Sequence, residues 1–198
     1  MVDMHDTKGA KVCQLISRCL QSRLSLSPSF TIYPMNFLRF LILLALAVWL
    51  GALIFFPVVA QTAFSVLPST HLAGLVVRGT LLTLHWMAFV SGAVFLASSL
   101  LYNRATHGTV RALSLSHIMV AAMLTLTAIS QFHIIPTMDT LRAAAGEMAP
   151  LAAGNPIRQQ FDSLHAWSTR LEGTVLVLGL IVLYSTARRF KSLDSGAV

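Results

Sequence analysis

Phe40 to Ala60 reads FLILLALAVWLGALIFFPVVA and lies in a stretch, Arg39 to Arg78, whose interior holds no charged side chain. About 20 apolar residues of α-helix cross a hydrocarbon layer of roughly 30 Å, because a helix satisfies its own backbone groups. The run is long enough to span. It also exceeds the about 7–15 apolar residues of a cleaved signal, so it reads as an anchor although Val58 and Ala60 are small.

Two more charge-free windows follow, from Thr80 to Asn103 and from Ala112 to Thr137. The fourth is short: Gly173 to Ala187 makes only about 22 Å of helix. That helix must begin near Gln159 or Phe161, which carries Asp162, His165, Arg170 and Glu172 into or against the membrane. Spans are expected at about 38–60, 78–102, 112–136 and 159–187. A turn is expected within Gln61–Gly74, where Pro68, Ser69 and Thr70 gather. The fold class is all-α, a four-helix integral membrane bundle.

Composition agrees. Of 198 residues, 56% are hydrophobic and 11% charged, against roughly 25% charged in soluble domains. A soluble enzyme, a disordered chain and a disulfide scaffold are all excluded. The net charge of +7 sits at the ends of apolar runs rather than in a stripe interleaved with aromatics. That marks topology, not phosphate contacts, so no nucleic-acid partner is expected. Lys8, Lys11, Arg18, Arg23, Arg39, Arg104, Arg111, Arg188, Arg189 and Lys191 fall on one side. Arg78, Arg142, Arg158 and Arg170 fall on the other, beside Asp139, Glu147, Asp162 and Glu172. The positive-inside rule then puts both termini in the cytoplasm, with the cell membrane as location.

Residues 1–34 are polar and Ser-rich, and Met35 looks like a natural start, so this segment is expected to be a disordered tail or a mis-called extension. Residues 191–198 form a cytoplasmic tail. Cys13 and Cys19 match no zinc or redox spacing and receive no role.

Polar side chains gather toward the outer half. Arg78 and His85 share a stripe on the second helix. Thr127, Ser130, His133 and Thr137 share one on the third, and His165, Ser168, Thr169 and Glu172 one on the fourth. Such groups are costly against lipid and are expected to converge inside the bundle. The candidate pocket is Arg78, His85, Ser130, His133, Arg142, Asp162, His165, Ser168 and Glu172. The bland reading is that they only pair to fix helix packing, and for His117 alone that reading is preferred.

Three chemistries suit the set. Imidazoles from His85, His133 and His165 would suit copper or zinc, with Glu172, Met87 or Met138 as helpers. His85 and His133 could ligate a haem. A polar cavity could pass ions or protons. No HExxH, nucleophile elbow or paired carboxylates appear, so an enzyme is not expected. The loop Asp139 to Pro156 is long enough to lie over the outer mouth as a lid. Ala47 and Gly51 form a small-xxx-small pair, and Trp49, Trp86 and Trp167 read as anchors or core.

The run Leu38 to Phe64, the turn Val66–Pro68, the segment PTMDTLR (Pro136 to Arg142) and FDSLHAWS (Phe161 to Ser168) resemble a family of small bacterial four-helix membrane proteins. That family carries a domain of unknown function shared with eukaryotic transmembrane protein 205, and its helix pattern is more distantly like the copper resistance D membrane proteins. The resemblance covers roughly Met35 to Phe190. It implies a multi-pass membrane protein of unestablished activity, with Arg142, Phe161, His165 and Ser168 as family positions. The expected function is metal-ion or small-solute handling through an outward-facing pocket. The alternatives are a bis-histidine haem electron carrier and a structural partner protein without ligand. Expected partners are the lipid bilayer and a second copy or another membrane protein.

Overall fold

The computed structural model describes residues 28–107, 114–145, 151–152 and 154–195, with side chains described over 35–106, 114–145, 151–152 and 154–190. Residues 1–27, with Cys13 and Cys19, lie outside the described residues, as does the middle of the Asp139–Pro156 loop.

Among the described residues every regular element is helical. Helix α1 is Pro28–Val66 and α2 is Thr70–His107; α3 is Leu115–Ile129, a π-helical turn occupies Ser130–Ile134, α4 is Ile135–Ala145, and α5 is Pro156–Ser195. Four spans, Met35–Val66, Thr70–Thr106, Leu115–Ala145 and Pro156–Phe190, are long and apolar enough to cross a membrane. The helices outrun the charge-free windows. In particular, the turn expected within Gln61–Gly74 shrinks to Leu67–Ser69, because apolar residues continue on both sides. Pro68 cannot donate a backbone hydrogen bond, and the Ser69 hydroxyl accepts one from the Leu72 N–H at 3.2 Å, an N-cap that starts α2 at once. The Asn155 carboxamide caps α5 in the same way, accepting from the Ile157 N–H at 2.9 Å, with Pro156 at the first helical position.

α1 packs on α2, α2 on α3, α3 on α5 and α5 back on α1, closing a ring of four antiparallel neighbours. Leu46, Trp49, Ala88, Phe95, Val120, Met123 and Val182 are buried within it, whereas Phe40, Phe55, Val90, Val177 and Tyr184 point outward. An apolar exterior is what lipid requires. Close approach depends on two glycines. A Cβ on Gly92 would meet the Leu124 side chain at 2.7 Å, and one on Gly179 would run into Leu50 and Met123. Ala47 and Gly51 instead lie on an exposed face of α1, and nothing stands within 4 Å of a Cβ on Gly51. Trp49 is core, while Trp86 and Trp167 are exposed.

One end of the bundle is held by specific pairs. Arg39 donates to the Tyr102 hydroxyl at 3.0 Å and lies over the Phe190 ring, joining α1, α2 and α5. His117 sits between the Ser114 and Ser99 hydroxyls, at 2.8 and 2.9 Å, and ties the start of α3 to α2. This is the packing role preferred for it above.

Candidate functional site

Gly179 sets the register, since it touches Leu50 of α1 and Met123 of α3. The helices alternate in direction, so two turns further along, Glu172 comes level with Ser130 and Pro57. From that level to the α1–α2 turn the helices part around a cavity of about 530 Å³, within the size range of small-molecule pockets. Its walls are largely apolar: Leu53, Phe56 and Phe64 of α1, Leu81 of α2, Met138 of α4 and Leu176 of α5. Polar groups reach it from three helices: Arg78, Asp139 with Arg142, and His165, Ser168, Thr169 and Glu172.

At the end nearer the α1–α2 turn, Arg78 forms a two-pronged pair with Asp139, Nε to Oδ1 at 2.6 Å and Nη2 to Oδ2 at 2.5 Å. Both carboxylate oxygens are thereby engaged. Arg142 stands one turn further along α4 with its Nη1 at 3.7 Å from Asp139 Oδ1, beyond hydrogen-bond reach. Its guanidinium lies over the Phe161 ring at 5.0 Å and beside Gly74, where a Cβ would sit 3.5 Å from Nη2. Two guanidiniums share one carboxylate, which leaves this end of the cavity net positive.

The other polar group lies behind the cavity wall. His85 is fully buried. Its Nδ1 is 2.8 Å from Gln131 Oε1 and its Nε2 is 2.7 Å from Glu172 Oε1. Three proton arrangements satisfy this geometry. An imidazolium donates to both oxygens; a neutral ring donates from Nδ1 to Gln131 and accepts at Nε2 from a protonated Glu172; or, with the amide turned over, a neutral ring donates to Glu172 and accepts from the Gln131 NH₂. Around the same level Glu172 Oε2, Ser130 Oγ and Thr127 Oγ1 are buried without a hydrogen-bond partner among the described residues, and so is Trp49 Nε1 on α1. Each stranded group costs about 1–3 kcal/mol, so this part of the bundle is maintained against its own desolvation cost.

Of the expected pocket, Arg78, Arg142, His165, Ser168 and Glu172 line the cavity, with His85 held behind Glu172 and Ser130 buried nearby. Asp162 does not take part; it is exposed and faces Arg158 at 3.8 Å on the surface of α5. His133 is exposed as well. His133 stands six residues after Thr127, about 120° round an α-helix from it, whereas Gln131, four residues on, shares the Thr127 face. Gln131 is accordingly buried and His133 exposed, and the π-helical turn over Ser130–Ile134 shifts the residues that follow it.

The metal set His85, His133 and His165 is consequently not assembled, and His85 and His133 do not face each other as haem ligands. Both nitrogens of His85 are already engaged. Among the described residues, no three His, Cys, Asp or Glu side chains come together to hold a metal ion. Sequence reasoning missed Gln131 and Asp139. The free-standing acidic residue one turn before Arg142 was a usable signal for Asp139, and the i, i+4 spacing from Thr127 was one for Gln131.

Residues 44–147, just over half of the chain, match the family described as a domain of unknown function, DUF4149. The chain belongs to this family. The DUF4149 match includes Arg78, His85, Gln131, Asp139 and Arg142 and ends before α5, so the wall bearing His165, Ser168 and Glu172 lies outside it. No curated protein and no solved structure matches the chain.

Proposed function

We propose that this multi-pass membrane protein is a binder rather than an enzyme, and that it holds a small solute in the cavity between its four helices. The observation that carries this reading is the cavity itself, about 530 Å³, with ionic groups at one end and apolar walls elsewhere. That combination is the usual make-up of a small-molecule site. The groups that reach it are suited to recognition: two guanidiniums, one carboxylate tied to Arg78 and a second bonded to His85, an imidazole and two hydroxyls. The positive-inside bias supports an arrangement with both termini cytoplasmic and the cavity toward the opposite side.

Gly173 lines the cavity, and a Cβ there meets nothing within 4 Å. Gly173→Leu therefore puts a bulky side chain at the mouth of the cavity without crowding the helices. Native mass spectrometry of protein extracted in mild detergent should show a near-stoichiometric small-molecule adduct that Gly173→Leu loses. An adduct that survives Gly173→Leu would overturn the cavity as the binding place.

A further inference from the structure

We infer that the solute is a single-chain amphiphile with an anionic head group, drawn from the adjoining lipid leaflet, whose head is met by Arg142. The inference rests on the cavity being the binding place and adds the class of molecule it takes.

Charge comes first. Asp139 already gives both oxygens to Arg78, while the Arg142 guanidinium makes no hydrogen bond among the described residues. It lies over the Phe161 ring on one side and faces the side-chain-free backbone of Gly74 on the other. A guanidinium presented this way with open N–H donors, in net positive surroundings, calls for a carboxylate or phosphate oxygen. Shape comes second. Beyond Arg142 the wall of α5 runs from Phe161 to Leu176, about 22 Å of helix axis. It faces Leu53, Phe56 and Leu81, and the carboxylate it carries, Glu172, has Oε1 bonded to His85 and Oε2 covered. An acyl chain can lie there without meeting an open charge. Access comes third. Pro57 and Phe64 on α1, and His165, Thr169 and Gly173 on α5, line the cavity and are also exposed, so it opens along the seam between those two helices. In a membrane that seam faces lipid. An amphiphile already in the leaflet enters sideways, with its head at the level of Arg142, near the α1–α2 turn, and its tail toward the bilayer centre.

The test uses the full chain in nanodiscs of phosphatidylcholine, titrated with dodecanoate, dodecyl phosphate, dodecanol and dodecyltrimethylammonium. Dodecanoate and dodecyl phosphate should bind saturably, at least about tenfold more tightly than the neutral and cationic chains, as loss of one charge-assisted contact implies. Arg142→Gln should remove that preference, bringing dodecanoate and dodecyl phosphate to the affinity of dodecanol, and Arg142→Lys should keep part of it. Gly173→Leu should abolish binding of all four. Equal binding of the four probes, or an anion preference that survives Arg142→Gln, would overturn the assignment of the head group and leave the cavity reading standing. Anion binding that survives Gly173→Leu would overturn both. The comparison of carboxylate with phosphate names the head group.

Discussion

His85 is the residue on which the inner part of the site turns, because it joins α2 to α3 through Gln131 and to α5 through Glu172. Its ring is fully buried and the Glu172 side chain is 13% exposed, so removing the ring strands a carboxylate that water hardly reaches. His85→Ala is expected to cost about 3–5 kcal/mol, the range for breaking a buried pair by removing one partner. The double variant His85→Phe/Glu172→Leu takes both groups out of the apolar interior together and should be clearly more stable than His85→Ala. Thermal unfolding in detergent measures both. A double variant less stable than the single would mean that Glu172 has another essential partner. The inward placement of His85 was legible in the sequence from its stripe with Arg78. Its partners were not, since Gln131 and Glu172 lie 46 and 87 residues away and nothing local ties them to it.

At the scale of elements, the informative feature is the π-helical turn between α3 and α4. An i→i+5 turn holds one residue more than an α-helical turn, and that extra residue decides which side chains the rest of the segment turns inward. Phe132, in this turn, is exposed. Its deletion should let the turn relax to α-helix while Met138, Asp139 and Arg142 keep facing the cavity. Deletion of Thr125, which is exposed on the regular part of α3, rotates everything after it by about 100° relative to the bundle and should abolish the folded state. Size-exclusion behaviour and thermal unfolding of the two variants distinguish the outcomes. Equal damage from both deletions would show that the wide turn is not an insertion in an otherwise regular helix. The stripe read from the sequence placed Thr127 and Ser130 inside correctly, but successive three-residue steps drift about 60° each round an α-helix, which is why it put His133 where Gln131 belongs.

For the molecule as a whole, charge distribution and packing make separate statements. The bundle has one end fastened by Arg39 with Tyr102 and Phe190 and another opened around the cavity. The orientation proposed from the positive-inside bias would put the fastened end in the cytoplasm. With Cys13 and Cys19 replaced, Gly154→Cys should be labelled by a membrane-impermeant maleimide in right-side-out vesicles, and Arg104→Cys only after the vesicles are opened. Both positions are exposed and lie at opposite ends of the bundle. The reverse pattern would invert the orientation and turn the cavity toward the cytoplasm.

The number of spans, their helical character and the presence of a polar end all followed from the sequence alone. Each depends on local quantities, namely apolar length, charge-free windows and residues within one helix face, and hydrocarbon enforces these on every segment separately. Only the tertiary structure decided which polar residues meet. It paired Arg78 with Asp139 rather than with a histidine, left Arg142 with open donors, covered Glu172 with His85, and sent His133 outward. Those outcomes depend on the register between helices, set by close contacts such as Gly179 against Leu50 and Met123, and on one irregular turn. A side chain's neighbours across a bundle are fixed by rotations and translations of whole helices, and no short stretch of sequence carries that information.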